Sequence, residues 1–465
     1  MLTLWNTLHK REEEFHPVHP PKVGLYNCGP TVYNPVTLGN WRAYLVVDFL
    51  RRTLGTLGYE VTHVMNITDV GHLVGDGDDG EDKVEREAKK RGMTAWELAR
   101  FHETHFLHDM QRVHMLTPHV LPRATEHISE QITLVQELEA HGIAYKISDG
   151  IYFDTSKFSA YGALSGQRLE EKEPGARVVV NEEKKHPSDF ALWKFSPSVE
   201  TGVVRQMEWE SPWGIGFPGW HIECSAMSAK YLGQPFDIHC GGVDLIPVHH
   251  ENEIAQTMAA TGEPLAHYWL HNEFLLIDGG RMGKSLGNAY TLDDVIAKGF
   301  DPLAYRYFCL GAHYRSKLNF TWEALEGAAQ ALRKLRSMAH GFSLDGAVDD
   351  DVWKLFTDAL EQDLNTPRAL AVMWDFLKSS ATDEGKGATL CKMDEVLGFG
   401  LDVVVGRPYD IPAPIHNLAL ERQHAREQKD WARSDALRET LAQEGWSIED
   451  KGADGYLLTP KDGYM

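Results

Sequence analysis

Two glycine-bearing stretches of this chain carry the residue types that handle phosphate. Gly39-Asn40 stands at the start of a stretch with helical periodicity, Trp41 to Arg52. A helix opening there turns free backbone N–H groups and its positive dipole end toward an anion. Taken alone, the same pair fits an ordinary tight turn equally well. Asp278-Gly-Gly-Arg-Met-Gly-Lys-Ser-Leu-Gly-Asn288 joins a glycine-rich loop to Lys284, a point charge suited to a phosphate leaving group. Its spacing is not that of a P-loop. Metal chemistry is harder to read. Five cysteines, at 28, 224, 240, 309 and 391, form no CxxC pair, so neither a disulfide framework nor a zinc ribbon follows from spacing. Any metal site must be assembled from distant segments, and a small buried hydrophobe is the ordinary alternative for each cysteine. His249 and Glu253 are four apart and share a face wherever that stretch is helical.

These residues need elements to position them. Lys22-Val-Gly-Leu-Tyr-Asn27 reads as a short strand that runs into Cys28-Gly-Pro-Thr31, and Glu60-Val-Thr-His-Val-Met-Asn-Ile67 alternates as the next strand. With the helix between them they form a βαβ unit of a parallel sheet. Gly75 to Asp82 is a polar, glycine-rich loop whose spacing does not fit an EF-hand. The pattern is mostly helical from about 82 to 141. Strand-like pieces and a Lys/Glu-rich stretch between 150 and 207 suit an inserted subdomain. The α/β pattern resumes near Phe236 and runs to about Gly287; from Glu323 onward it is almost wholly helical. Gly406-Arg-Pro-Tyr-Asp-Ile-Pro-Ala-Pro414 reads as a linker to a last small unit.

Composition sets bounds. At 465 residues the chain divides into more than one domain. Hydrophobic residues at 43% and charged residues at 25% are ordinary for a soluble globular protein. No apolar run reaches the length of a membrane span, and the N-terminus does not read as a secretory signal. The expectation is a cytoplasmic protein with no membrane partner. A formal net charge of −22 argues against nucleic-acid binding through a general basic shell, though a local basic surface remains compatible with it.

Taken together, the motifs resemble a known family. Thr37-Leu-Gly-Asn40 stands where class I aminoacyl-tRNA synthetases have HIGH or HIGN, and Arg281-Met-Gly-Lys-Ser285 where they have KMSKS. Tyr26-Asn-Cys-Gly-Pro-Thr-Val-Tyr33, Pro218-Gly-Trp-His-Ile-Glu-Cys-Ser225, Phe236-Asp-Ile-His-Cys-Gly-Gly-Val-Asp244, His249-His-Glu-Asn-Glu253 and Asp301-Pro-Leu-Ala-Tyr-Arg-Tyr307 narrow it to the cysteinyl enzymes. Ala425 to Arg438 is similar to that family's C-terminal helix, so the likeness runs through nearly the whole chain in order.

The resemblance implies an α/β fold: a Rossmann-like parallel-sheet catalytic domain with an inserted subdomain, then an all-α bundle and a small C-terminal domain. The implied divisions are 1–115 and 211–290 for the catalytic halves and 116–210 for the connective insertion. A stem-contact region at 291–322, a helical bundle at 323–405 and an anticodon-binding domain at 406–465 complete them. It implies one Zn²⁺ on Cys28, Cys224, His249 and Glu253, a donor set that suits this ion. Cysteine and serine differ by one atom, and an apolar pocket separates such ligands by only ~1–3 kcal/mol. A thiolate is a strong zinc ligand and a hydroxyl a poor one, so direct coordination of the substrate sulfur makes an editing domain unnecessary.

Implied partners are L-cysteine, ATP with Mg²⁺, and tRNA(Cys), with a monomer as the expected state. Gly39, Asn40, Lys284 and Asp244 are the expected ATP contacts, with Lys284, Asn40 and Thr37 as the catalytic set. Asp244 fits either the ribose or the substrate amine. Gly29, Thr31 and Trp220 are expected at the amino acid, Trp220 as an aromatic wall or simply a core residue. His221 and His250 sit beside matched positions as supporting or buried groups, and His102, His105 and His108 read as a solvated helix face. Trp431, Arg426, Arg433 and Arg438 are candidate tRNA contacts or plain surface residues. The departure is Thr37, where the family usually has a histidine that donates to the phosphate. A simple loss of that contact costs on the order of 10²–10³ in rate. Two alternatives remain: a cysteine ligase with an amino-sugar acceptor, as in mycothiol synthesis, and a tRNA-binding paralogue that no longer activates cysteine.

Overall fold

The computed structural model describes residues 1–71, 73, 82–166, 181–196, 205–407, 409, 411–450 and 455–460, without the side chains of Lys284 and Thr459. The glycine-rich loop expected at 75–82 lies outside the described residues except for Asp82. The chain forms two compact units: 1–292 with 312–320 and 358–366, and 293–311 with 321–357 and 367–465.

At the centre of the first unit is a four-stranded sheet in the order Ala266–Asn272, Phe236–Gly242, Lys22–Asn27, Glu60–Met65. All neighbours are parallel, with Tyr26 opposite both Val64 and His239. The reason is in the strands themselves. They are short and largely buried, and the pairs Lys22–Asn27 with Glu60–Met65 and Phe236–Gly242 with Ala266–Asn272 are each joined through a helical crossover, as parallel pairing requires. The helix Leu38–Thr56 covers one face. Its Val47, Leu50 and Leu54 recur at helical spacing and pack with Val23, Leu25, Ile238 and Leu270. Each such buried side chain is worth about 1.5–3 kcal/mol. The other face is covered by the helices Trp220–Leu232 and Glu251–Thr261, through Cys224 and Ile254 packed with Tyr26, Val64, Phe236 and Trp269.

The helices Lys83–Arg91, Ala95–Arg112 and Ile128–Ala140 fill the stretch read as helical. Between 144 and 218 the chain carries an antiparallel sheet, Ala144–Ile147, Gly150–Phe153, Phe190–Phe195 and Gly216–Pro218, whose last strand lies beyond the 116–210 bounds expected for an insertion. One solvated face expected from sequence differs: His102 is 3% exposed, and only His108 of the three spaced histidines is fully at the surface. The cause is the packing of that helix, whose Phe106 stacks on Trp41 at 5.4 Å and draws the neighbouring turn inward.

Among the described residues, seven helices between Pro302 and Gln443 make up most of the second unit. The unit ends in a hairpin, Trp446–Asp450 with Tyr456–Pro460, packed on Ile415, Ala419 and Leu441. Among the described residues no helix is long and apolar enough to cross a membrane.

Candidate active site

A cleft of about 670 Å³ opens at the carboxyl ends of the sheet strands, where open α/β sheets bind ligands. Each of the four expected metal ligands is carried to its inner end by a different local device. Cys28 follows the last residue of the strand Lys22–Asn27, and Cys224 lies in the second turn of the helix Trp220–Leu232. His249 is on a five-residue π-turn, Ile246–His250, that leads into the helix holding Glu253. Single π-turns of this kind re-aim side chains and recur at functional sites.

One ligand atom from each of Cys28, Cys224, His249 and Glu253 lies within 4.8 Å of the others. Cys28 Sγ is 3.9 Å from Cys224 Sγ and 3.8 Å from Glu253 Oε1, and His249 Nε2 is 3.1 Å from the same oxygen. The helical spacing of His249 and Glu253 is realised in space. A second set, Cys28, His239, His250 and Glu253, overlaps the first and is equally compact.

The electrostatics of this corner are those of a site built around a cation. Burial raises the Cys224 thiol, but the bond from Cys28 and the His249 charge bring it down to about 6. Burial and then Cys224 itself push Cys28 well up. Burial alone would discharge His249, yet Glu253 and Cys224 raise it to about 10. Against its own burial, Glu253 is held at about 2 by His239 and His249. Protons on Cys28 and His249 thus balance the negative charge that a divalent ion would balance on two thiolates and a carboxylate. The donor set fits zinc.

Support around the four goes beyond what the sequence indicated. His221 Nδ1 meets His249 Nδ1 at 3.0 Å, which orients the ring so that Nε2 faces Glu253. His239 Nε2 is 2.9 Å from Glu253 Oε2 and its ring stacks on Trp269. His250, kept neutral by burial and by the neighbouring His239, lies 3.4 Å from Cys28 Sγ and 2.7 Å from His271. His239 and His271 were not singled out beforehand. The available signal was a histidine inside each of two buried strands, which periodicity alone does not separate from a core residue.

The end of the cleft at Gly39, expected to take the phosphates, is built differently. Thr37 is the N-cap of the helix Leu38–Thr56, with its Oγ1 accepting from the Asn40 amide and donating to Asn40 Oδ1 at 2.7 Å. Residues beyond the Lys284 loop return to this turn: Leu38 N donates to Tyr290 O at 2.8 Å, and Thr37 bridges Thr291. A Cβ on Gly39 would stand 3.4 Å from Met282 Sδ, so the two nucleotide-type segments meet at that glycine. Asn288 pins the loop by accepting from Gly283 N and donating to Arg281 O. Lys284 sits in a short turn, Lys284–Leu286, with its side chain outside the described atoms.

Of the remaining expected residues, Thr31, Trp220 and Asp244 line the cleft. The Trp220 ring lies 4.4 Å from that of His249, against the metal corner. Gly29 also lines it, but its N–H donates to Asn66 Oδ1 at 2.8 Å. A Cβ there would fall 1.8 Å from the Asn66 carbonyl oxygen. Gly29 is therefore required by the close approach of the Asn66 backbone.

Known proteins share this plan. The profile of the class I (C) tRNA synthetase catalytic domain matches residues 14–330, and that of the cysteinyl-tRNA ligase anticodon-binding domain matches 409–456. Cysteine–tRNA ligase 1 of Burkholderia lata is 49% identical over 97% of this chain and 95% of its own length. A cysteine–tRNA ligase of Thermus thermophilus is 43% identical over 97% of both. In fold, the chain is similar to Mycobacterium tuberculosis methionyl-tRNA synthetase bound by methionyl-adenylate, with a TM-score of 0.55 at 15% identity. That match covers 81% of this chain and 90% of the other. By its catalytic and anticodon-binding profiles and by these relatives, the chain belongs to the cysteinyl-tRNA synthetases of the class I aminoacyl-tRNA synthetase family.

Proposed function

We propose that this cleft activates L-cysteine with Mg-ATP and transfers it to tRNA(Cys), with one Zn²⁺ on Cys28, Cys224, His249 and Glu253. The observation that carries the reading is the close meeting of those four donors, three of them buried, at the inner end of a cleft whose other end joins Gly39 to the Lys284 loop. A zinc ion at the four donors would supply a Lewis-acid site that takes a thiolate in preference to a hydroxyl.

The chain's own residues then do the following. Trp220 closes the side-chain pocket and, with Thr31, orients the amino acid. Asp244 holds the ribose or the substrate amine. A carboxylate oxygen of cysteine attacks the α-phosphorus, and the bond to pyrophosphate breaks. Lys284 and the helix start at Gly39-Asn40 stabilise the charge gathering on the departing phosphates. Thr37 acts by fixing Asn40 and that helix start. In the second step a terminal ribose hydroxyl of the tRNA attacks the activated carbonyl carbon, loses its proton, and AMP leaves. Neither step needs a protein nucleophile.

The match at residues 409–456 favours tRNA over an amino sugar as acceptor. A monomeric cytoplasmic enzyme accords with this reading. Cysteine-dependent ATP–pyrophosphate exchange, followed by charging of tRNA(Cys) against an amino-sugar control, tests it. Exchange without tRNA charging would assign a different acceptor, and no exchange would leave the paralogue.

A further inference from the structure

The helix Leu38–Thr56 buries an arginine less than one turn past Gly39-Asn40. Arg42 is 1% exposed. Its Nη1 donates to the carbonyls of Glu273 and Phe274, at 2.7 and 2.6 Å, and both of these residues line the cleft. Its Nη2 donates to Ser316 O and, at 3.4 Å each, to the carbonyls of His313 and Tyr314. Each of the two turns held in this way is the root of a strand. Glu273-Phe274 leads into Leu275–Ile277, His313–Ser316 leads into Leu318–Phe320, and these strands pair in parallel. The roots are also bonded to each other, Glu273 N to Tyr314 O at 2.9 Å and Leu318 N to Phe274 O at 3.2 Å.

What the strands carry gives the arginine its interest. Leu275–Ile277 turns back through Asp278-Gly279, at φ 49° and 77°, onto Gly280–Arg281. Two left-handed residues of this type make the tight hairpin turn whose twist matches its strands. Leu318–Phe320 holds that turn from the side: Asp278 N donates to Phe320 O at 3.0 Å and Gly279 N to Asn319 Oδ1 at 2.7 Å. From Arg281 the chain passes directly into Met282-Gly283-Lys284. The Lys284 loop therefore springs from a small three-stranded sheet whose two longer strands start at one guanidinium. That guanidinium belongs to the helix that begins at Gly39-Asn40. A planar fork with five donors in fixed geometry can fasten two turns together, and an ammonium lacks that fork.

We infer that Arg42 is a positioning residue for the activation step, setting the Lys284 loop against the helix start so that both meet the same phosphates. The inference rests on the proposed activation of cysteine by ATP. Every residue in the chain of contacts lies in the first unit. None of the five carbonyls belongs to a proposed metal ligand or to a histidine behind one. The effect of Arg42 is thus directed at the phosphates and away from the thiol.

Arg42→Lys keeps the charge and loses the fork. The expected result is a kcat for cysteine-dependent pyrophosphate exchange lower by about tenfold, with KM for cysteine within about twofold and zinc content as in the parent. A residue that acts through the Lys284 loop has nothing left to position once that lysine is gone. Added to Lys284→Ala, Arg42→Lys should therefore lower exchange by less than about twofold further, whereas an unrelated packing defect would multiply in full. Asn319→Ala reaches the same hairpin from an exposed position by removing the acceptor for Gly279 N. It should lower kcat by about threefold, again with no further loss beside Lys284→Ala. Thermal melting of each variant reports on folding, and if Arg42→Lys does not fold, Asn319→Ala decides alone. The inference is overturned by losses that multiply with Lys284→Ala, by a raised KM for cysteine at unchanged kcat, or by no change. An absence of exchange in the parent protein would instead overturn the activity itself.

Discussion

The two ends of the cleft are made by opposite strategies. At the thiol end Cys224 and His249 are each 1% exposed and Glu253 is fully buried, three of the donors sit on helical turns and Cys28 directly follows a strand, and histidines back the ligands from behind. At the phosphate end Arg281 and Leu286 are exposed, and the Lys284 loop is held mainly by backbone and amide hydrogen bonds. The difference follows the two tasks proposed for these ends. Telling sulfur from oxygen requires fixed donors in a low-dielectric corner, because discrimination comes from what the site refuses to accommodate. Charge that appears only during reaction is met by groups able to approach the phosphates when they arrive.

The largest expected effect tests the thiol end. Cys224→Ser should abolish stoichiometric zinc, read by metal analysis, and reduce the preference for cysteine over serine to the ~1–3 kcal/mol of a plain pocket. A variant that kept its selectivity without metal would break the comparison at its root. Next is metal removal by a strong chelator. It should eliminate cysteine-dependent exchange and lower the melting temperature of the first unit, because ligand binding to the folded state is itself folding free energy. Unchanged melting with activity lost would mean that the corner is preformed without its ion.

A smaller loss is expected at the other end. Lys284→Ala should lower kcat for exchange by about 10²–10³ while zinc content and serine rejection stay as in the parent. If serine rejection fell too, the two ends would not be separable. The smallest effect is at Thr37. Thr37→Ala removes a helix cap and should cost about 1 kcal/mol of stability. Thr37→Asp retains a cap acceptor but places a negative charge beside the phosphates, so it should keep stability and slow exchange. Thr37→His should leave exchange unchanged or faster, and a large loss would show that the threonine is an adapted donor.

The sequence made these ends legible to different depths. The strand–helix–strand opening and the phosphate segments could be read from periodicity and glycine placement, since local spacing encodes them. The metal set could not, because Cys28 is 225 residues from Glu253 and only the order of matched segments related them. Arg42 was invisible for a further reason. An arginine in an amphipathic helix ordinarily reaches solvent, and five backbone carbonyls from two distant turns are not encoded in any side-chain pattern. His102 failed in the opposite direction: its spacing suggested a wet face, and aromatic packing nearby buried it.

The placement of the central strands also sets a clock. Lys22–Asn27 lies between a strand it meets early, Glu60–Met65, and one that follows more than half the domain later, Phe236–Gly242. At ~5–20 residues per second of synthesis, the 225 residues between Cys28 and Glu253 take on the order of ten to forty-five seconds to emerge. Throughout that interval the first ligand is on a nascent chain whose sheet has an unpaired edge where Phe236–Gly242 will dock. Assembly of the four-donor corner is therefore a late event in the birth of the protein, and the zinc ion proposed for it would find no complete set of donors before Glu253 appears.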